Sequence, residues 1–271
     1  MMVDFMRKKS KKEFFAQYNV EYKGGKILAP WGEYVTLPLT WGSKTHCYGW
    51  STLAGTKEWK VEFNGSSQVM RGTCVCQCQH CYGCNGRYAM PGVYNANAWR
   101  TVAAREYQDW LANAITAQIN WGVKGNPLEF VRVHITGDFF DMGYVNMWKR
   151  IKANCPHTRM WAYTKNKEAE DAFDDVADFN IVKSLVPGFG FNYGHCDYVM
   201  SMYHALKEAG IETHVCRCAI TNDQHCNNCR ACQDLTYVLF LEHGSNYNAK
   251  EDPLWSEFVA LVESEENMRH I

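Results

Sequence analysis

The sequence predicts an α/β protein whose parallel sheet is wound as a partial barrel, and two observations lead to this prediction. Between residues 130 and 215, short apolar runs alternate with segments of helical period, which is typical of right-handed βαβ units. Ten of the thirteen cysteines fall in two tight groups, one before and one after this region. Parallel sheets bind ligands beyond the carboxyl ends of their strands, so we expect the cysteines to act there.

The individual elements follow from the hydrophobic period. The predicted strands of the alternating region are 130–136, 159–164, 180–186 and 211–215, followed by a last strand at 237–242. The predicted helices are 99–122, 144–153, 167–177, 196–209 and 254–263. Each strand is thereby followed by a segment long enough to cross back over the sheet.

The first part of the chain is β-rich. The predicted elements there are a helix at 11–18 and strands at 26–29, 34–39, 59–63 and 67–71, with no clear period in the rest of 41–65. We therefore divide the chain into an N-terminal arm and β-rich extension, 1–66, packed on an α/β core, 67–271. The core includes a C-terminal metal-binding segment, 216–232, and no linker separates it from the sheet.

Composition restricts the class of protein. Hydrophobic residues make up 46% of the chain and the formal net charge is −1, which excludes global disorder and gives no overall attraction to nucleic acid. The tryptophans could stack on bases, but no basic groove accompanies them. No apolar run approaches the roughly 20 residues of a membrane span, and no secretory signal is recognisable. We expect a cytoplasmic protein, in which clustered cysteines bind metal.

The first cysteine group, Thr73–Cys84, reads Thr-Cys-Val-Cys-Gln-Cys-Gln-His-Cys-Tyr-Gly-Cys. It contains C-x3-C-x2-C, a spacing that holds three corners of a [4Fe–4S] cluster and leaves one iron open to another ligand. The three cysteines of this spacing are Cys74, Cys78 and Cys81. The group also contains C-x2-C-x2-C ending at Cys84, so that Cys84 or Cys76 could close the fourth corner or complete a zinc site.

A second motif stands at the end of the strand predicted at 130–136. Val133–Asp138 reads Val-His-Ile-Thr-Gly-Asp, and Gly137 lets the backbone approach a ligand closely. Asp138 at the carboxyl end of a strand can accept hydrogen bonds from an ammonium group. Thr136, Gly137 and Asp138 are therefore candidates to hold the amino-acid portion of S-adenosylmethionine. A plain helix N-cap is the alternative role for Asp138.

At these residues the chain resembles the radical SAM superfamily. Cys74-x3-Cys78-x2-Cys81 corresponds to its cluster motif, and Thr136-Gly137-Asp138 is similar to its Gly-Gly-Glu motif, with Thr and Asp in place of Gly and Glu. More narrowly, the chain resembles a phage-associated family of radical-SAM-like proteins. That resemblance extends from about residue 73 to 243 and includes the motif His134-x2-Gly137-Asp138-Phe139-Phe140, the segment 161–164 and the closing cysteines.

The resemblance implies a (βα)6-type partial barrel and reductive cleavage of S-adenosylmethionine at a [4Fe–4S] cluster. The 5′-deoxyadenosyl radical formed would abstract hydrogen from a substrate that the sequence does not identify. The resemblance also implies an electron donor such as flavodoxin or ferredoxin. For a phage protein it implies a location in the host cytoplasm. His134, Tyr163 and Lys165 lie on or just after the strands around the predicted site and are the candidates for substrate contact or proton transfer.

The second cysteine group follows the strand predicted at 211–215. Its C-x9-C-x2-C-x2-C spacing is able to ligate a second [4Fe–4S] cluster or a tetrahedral zinc ion. The predicted ligands are Cys216, Cys226, Cys229 and Cys232. A non-enzymatic protein with two such metal sites, serving as a nucleic-acid or protein adaptor, is the alternative to the radical enzyme.

Overall fold

The computed structural model describes residues 9–42, 46–75, 81–186, 188–216, 229, 231–241 and 248–269, without the side chains of Tyr82 and of residues 265–269. Four cysteines of the two groups lie outside the described residues: Cys76, Cys78, Cys218 and Cys226. Two of them, Cys78 and Cys226, are predicted metal ligands.

The described helices are α1 (Lys11–Ala16), α2 (Pro91–Glu106), α3 (Gln108–Trp121), α4 (Met142–Asn154), α5 (Lys167–Phe173), α6 (Cys196–Glu208), α7 (Ala231–Asp234) and α8 (Trp255–Arg269). The described strands are β1 (Tyr22–Lys23), β2 (Lys26–Leu28), β3 (Tyr34–Thr36), β4 (Thr40–Gly42), β5 (Cys47–Gly49), β6 (Glu58–Phe63), β7 (Ser66–Arg71), β8 (Phe130–Val133), β9 (Arg159–Thr164), β10 (Phe179–Lys183), β11 (Leu185–Val186), β12 (Gly190–Phe191), β13 (Tyr193–Gly194), β14 (Thr213–Val215) and β15 (Tyr237–Leu241).

The central sheet has the order β10-β9-β8-β5-β4. Its strands β5, β8, β9 and β10 run parallel, and β4 is an antiparallel edge strand. Helices α4 and α5 connect successive parallel strands, as βαβ units require. The predicted mixed α/β class is confirmed.

A second parallel sheet, β13-β15-β14, adjoins the first. Backbone hydrogen bonds join the two, from Lys183 N–H to the Thr236 carbonyl (2.8 Å) and from Asn192 N–H to the Ser184 carbonyl (3.0 Å). Since β15 pairs with β14, the last strand of the chain stands between β10 and β14. The described strands form open sheets, and their order departs at this end from the chain order.

The central sheet has two faces with different cover. Residues paired across parallel strands project to the same side. On the helix-covered face, Val131, Met160 and Ile181 belong to one hydrophobic core with residues of α2 to α5. The other face, which we call the open face, carries Arg132, Trp161, Tyr163, Asn180 and Val182.

Two of the differences from the sequence prediction concern the start of the parallel series and the long helix that precedes β8. Strand β5 and all but the first residue of β4 lie in the segment 41–65, where only one short strand was predicted, and β5 is the first strand of the parallel series. Its three residues, Cys-Tyr-Gly, are too few to produce a period. The helix predicted over 99–122 is two helices, because Tyr107 between them takes a non-helical conformation (φ −133°, ψ 45°).

No helix within the described ranges combines the length and the apolar character that crossing a membrane would require.

Tyr144 ties α4 to the end of β5 through buried hydrogen bonds. Its hydroxyl accepts from Trp50 Nε1 (2.7 Å) and lies 2.9 Å from His134 Nε2. Tyr144→Phe leaves both partners buried without that hydroxyl, so we expect the free energy of unfolding to fall by about 1–3 kcal/mol in chemical denaturation. Tyr107→Phe is the control, since the described contact of Tyr107 is made by its ring against Trp31. Equal stability of the two variants would contradict this role.

Candidate functional site

The first cysteine group is anchored by Thr73, which immediately precedes Cys74. The Thr73 hydroxyl donates to the Leu53 carbonyl (3.2 Å), accepts from the backbone N–H of Asp138 (3.2 Å) and lies 2.8 Å from Thr52 Oγ1. These bonds join the start of the cysteine loop to the segment after β5 and to the segment after β8. Thr73 therefore brings the start of the cysteine loop into contact with the Thr136-Gly137-Asp138 motif, as the sequence predicts.

Three glycines let these segments touch. A side chain at Gly137, whose φ is +89°, would overlap the hydroxyls of Thr52 and Thr73, and one at Gly72 would overlap the backbone of Ala54 and Gly55. A Cβ at Gly83, between Cys81 and Cys84, would come within 2.7 Å of Ala54 Cβ and 3.2 Å of Thr136 Cγ2. The last turn of the cysteine loop thus packs directly on Thr136.

Two sulfurs meet the backbone of Gly55. The Cys74 sulfur accepts a hydrogen bond from Gly55 N–H (3.1 Å), and a Cβ built on Gly55 would lie 2.7 Å from the Cys84 sulfur. Backbone N–H donors to sulfur are typical of cysteines that ligate metal clusters. Burial, followed by the charge of Asp138, raises the pKa of Cys74 to about 12, so a nearby cation is needed to keep it a thiolate.

Asp138 is buried and its carboxylate is held from the next strand. Oδ1 accepts from the Thr164 hydroxyl (2.5 Å) and from Phe139 N–H (2.8 Å), and Oδ2 accepts from Lys165 N–H (3.1 Å). Desolvation by burial raises its pKa despite these donors. The alternative that Asp138 caps the following helix is wrong, because Asp141 is the N-cap of α4.

Lys165, a candidate for substrate contact, lies beside this carboxylate. Its positive charge lowers the pKa of Asp138 and of Cys74, although burial outweighs it at both. Its Nζ lies 5.7 Å from the ring centroid of Phe191. Lys165 is therefore a cation of the first site, and Lys57, whose Nζ donates to the Cys84 carbonyl (3.3 Å), is another.

His134 is buried, and its described contacts are with core residues. Its ring packs edge-on against Phe139, with centroids 4.5 Å apart, and its Nε2 lies 2.9 Å from the Tyr144 hydroxyl. Burial lowers its pKa to about 3, so the imidazole is neutral. His134 also has a positive φ of 60°, which ends β8 at Val133. Its role in proton transfer stays a prediction, because its described contacts are with the side chains of Phe139 and Tyr144.

Tyr163 lies on the open face with the second cysteine group. Its hydroxyl donates to the Cys232 sulfur (2.7 Å), and the Arg132 guanidinium carbon lies 4.9 Å from its ring centroid. Burial, followed by the charge of Cys232, holds the pKa of Tyr163 well above its ordinary value, so the phenol stays protonated and can donate. The structure thus separates Tyr163 from Asp138, which the sequence placed at one site.

The other described cysteines of the second group lie nearby. Cys216, Cys229 and Cys232 pack against a small hydrophobic cluster that includes Val182 and Val238. His214 Nε2 lies 3.4 Å from the Cys229 sulfur. In the part of the chain that the structure describes, no three His, Cys, Asp or Glu side chains are grouped closely enough to hold a metal ion.

Sequence reasoning missed three residues of these sites. Gly55 gave no signal, because its partners Cys74 and Cys84 are distant in sequence and only the fold brings them together. Arg132 was hidden within an apolar strand. His214 did carry a signal, because it alternates with Cys216 at the spacing that places two side chains on one face of a strand.

Comparison with known families adds one finding. The model of the family described as Gene product 88 matches residues 8–245. The chain belongs to the Gene product 88 family. This is a phage-type family, which confirms the phage-associated part of the resemblance noted in the sequence, whereas nothing in the comparisons shows a relationship to the radical SAM superfamily. Searches of curated proteins and of solved structures gave no match.

The close approach at Gly137 gives a test of the site's construction. Gly137→Ala adds a methyl group against the hydroxyls of Thr52 and Thr73 at a left-handed φ, so we expect the free energy of unfolding to fall by about 1–3 kcal/mol. Gly92→Ala is the matched control, because its Cβ would meet no atom within 4 Å. Chemical denaturation measures both, and a Gly137→Ala protein as stable as the Gly92→Ala protein would contradict the geometry.

Buried His134 predicts a pH dependence of stability. The folded-state pKa of about 3 lies below the ordinary value of 6.5, so between these values the unfolded chain binds a proton that the folded chain does not. The contribution of His134 to the free energy of unfolding is present above pH 6.5 and is lost as the pH falls toward 3, by up to about 1.4 kcal/mol per pH unit.

His134→Gln should flatten the fall of unfolding free energy between pH 6.5 and 4, measured by denaturation at each pH. His204→Gln, on an exposed position of α6, should keep the wild-type slope, and a His134→Gln slope equal to wild type would refute the assignment.

Proposed function

We propose that this protein is a radical SAM-type iron–sulfur enzyme that reductively cleaves S-adenosylmethionine at a [4Fe–4S] cluster and acts on a further substrate. The observation that carries the proposal is the hydrogen bond from Asp138 N–H to the Thr73 hydroxyl. It joins the residue before the first cysteine to the Thr136-Gly137-Asp138 motif at the carboxyl end of β8. A cluster loop beside the carboxyl end of a parallel strand is the arrangement that the resemblance implies.

The residues at this site fit the cluster and its ligand. Cys74 and Cys81, with Cys78, would hold three irons, and the Gly55 N–H already donates to the Cys74 sulfur. A carboxylate has about four acceptor positions, of which Asp138 uses three. One position remains to accept an ammonium group such as that of S-adenosylmethionine. When bound, a reduced cluster supplies the electron that breaks the sulfonium bond.

The chain's own residues would position the ligand and exclude water. Gly137, with no side chain, lets the Thr52 and Thr73 hydroxyls, which lie 2.8 Å apart, pack directly against the backbone that follows β8. Asp138 is 3% exposed, and hydrogen bonds from Thr164 and Lys165 hold its carboxylate. A buried, pre-oriented carboxylate binds an ammonium group more strongly than one in water.

The parallel strand series supports a partial barrel as the frame of this enzyme. The parallel strands, in chain order, are β5, β8, β9 and β10. The proposed cluster residues come after β5, and the proposed ligand residues come after β8. We place the reaction in the cytoplasm of the phage host, with a small electron-transfer protein such as flavodoxin or ferredoxin as donor.

One observation favours a second candidate, a non-enzymatic metal-binding protein. The Cys84 sulfur stands against Gly55, whose N–H donates to Cys74. Cys84 is therefore available as a fourth ligand, and a cluster or zinc ion held by four cysteines has no open position for S-adenosylmethionine. Such a site would link the cysteine loop to the sheet and leave the protein to act as an adaptor.

The two candidates give opposite results with Cys84. Anaerobically reconstituted protein with dithionite and S-adenosylmethionine should produce 5′-deoxyadenosine, measured by mass spectrometry. Cys81→Ala should reduce this product to background, because it removes a cluster ligand, whereas Cys84→Ala should keep it. Iron and sulfide are counted in each sample so that loss of the cluster is distinguished from loss of activity.

Cys155→Ala is the matched control, since this buried cysteine lies outside both groups. Wild-type protein with a complete cluster and no 5′-deoxyadenosine, together with loss of iron in Cys84→Ala, would exclude the radical enzyme and favour the adaptor.

A further inference from the structure

We infer that Tyr144 is a redox-active side chain, which gives one electron to a strong oxidant while its phenolic proton passes to Nε2 of His134. The products are a neutral tyrosyl radical, an imidazolium and the reduced oxidant. In the radical enzyme proposed above, the oxidant is a carbon-centred radical, which takes up this electron and a solvent proton to become a C–H group. That use rests on the proposed function, whereas the oxidation of Tyr144 itself does not depend on the metal that the cysteines bind.

The first argument is the path of the phenolic proton. The Tyr144 hydroxyl lies 2.7 Å from Trp50 Nε1 and 2.9 Å from His134 Nε2. An indole N–H can only donate, so among the described residues Nε2 of His134 is the acceptor of the Tyr144 proton. A phenol that has lost an electron is a far stronger acid than an imidazolium. The proton therefore moves to His134 even though burial lowers the pKa of this imidazole to about 3.

The second argument is that this arrangement is costly for a purely structural core. With Nε2 accepting, the proton of the neutral imidazole is on Nδ1, and this nitrogen is buried with no hydrogen-bond partner among the described residues. The same holds for Nε1 of Trp148, whose ring packs edge-on against Tyr144. His134 also has a left-handed φ of 60°. Unsatisfied buried groups and strained backbone are found preferentially at functional sites.

The third argument is a chain of aromatic rings that ends at Tyr144. Its ring centroids lie 6.5 Å apart between Trp99 and Trp50, 6.2 Å apart between Trp50 and Trp148, and 6.4 Å apart between Trp148 and Tyr144. Electrons pass readily between neighbouring aromatic side chains, so Tyr144 can reduce an oxidised tryptophan of this chain. The Arg100 guanidinium, 4.9 Å from the Trp99 ring centroid, disfavours a positive charge at the other end. The radical therefore settles on Tyr144, whose proton has a base beside it.

The fourth argument is the position of Tyr144 relative to the first site. Phe139, which directly follows Asp138, packs against both His134 and Tyr144, with ring centroids 4.5 Å and 5.9 Å away. Burial raises the pKa of Tyr144, and the charge of Asp138 raises it further. Tyr144 is 0% exposed, so a radical formed there is shielded from reductants in the solvent. The first site thus has an internal electron donor one aromatic ring away.

Photochemical oxidation of the full wild-type chain tests the inference. The protein is illuminated with ruthenium tris-bipyridine and persulfate, which generate a ruthenium(III) oxidant, and is frozen for electron paramagnetic resonance. We expect a neutral tyrosyl radical whose longest-lived component couples to a histidine nitrogen, detected by electron–nuclear double resonance with isotopically labelled histidine. No tyrosyl radical, or a long-lived one without this coupling, would overturn the inference. Because no S-adenosylmethionine is used, either result leaves the test of the radical enzyme separate.

Variants identify the residue that carries the radical. Tyr144→Phe should lose the long-lived component, and His134→Gln should lower its yield and lifetime, because an amide is a much weaker base than an imidazole. Tyr203→Phe is the matched control, since this buried tyrosine also packs against a histidine, His204, and should keep the wild-type signal. Circular dichroism establishes that each variant is folded. A long-lived radical of wild-type yield in folded Tyr144→Phe protein would show that another residue is oxidised.

Discussion

The Thr73 hydroxyl is the contact on which the arrangement of the first site depends. It joins three chain segments that are distant in sequence, through the Leu53 carbonyl, the Asp138 N–H and the Thr52 hydroxyl. All three hydrogen bonds are buried, and a buried donor or acceptor left without a partner costs about 1–3 kcal/mol. The three segments are therefore held together by bonds that are costly to break. Gly137 makes the contact sterically feasible, because any side chain there would displace the two threonine hydroxyls.

The parallel sheet separates two chemically different regions. Thr136, Gly137 and Asp138 follow β8 and meet the first cysteine group beyond the strand end. Tyr163 and Arg132 instead project from the middle of the open face toward the second group. Period-2 alternation explains the separation, since neighbouring positions of one strand face opposite sides. A single strand, β9, thereby serves both regions, with Thr164 bonded to Asp138 and Tyr163 bonded to Cys232.

The elements that the sequence predicts are those determined by residues close together in the chain, and the ones it misses depend on contacts between distant residues. Buried strands such as β9 were predicted with the bounds that the structure has, because their apolar runs are local signals. Strand β5 was missed, because its three residues show no period and include no β-branched side chain. They form a strand through pairing with β4 and β8. Within the sites, the motif residues were predicted from spacing. Gly55 and Arg132 were not, because their roles arise from contacts across the fold.

Desolvation determines what the first site can accept. Burial raises the pKa of both Cys74 and Asp138, and it outweighs the charge of Lys165, the described cation that lowers them. A thiol with a pKa of about 12 is protonated at neutral pH, so a metal can bind Cys74 only by displacing its proton. Metal binding there must consequently release protons and weaken as the pH falls. A cationic ligand is favoured over a neutral one at this site, because a positive charge lowers the cost of ionising each buried acid.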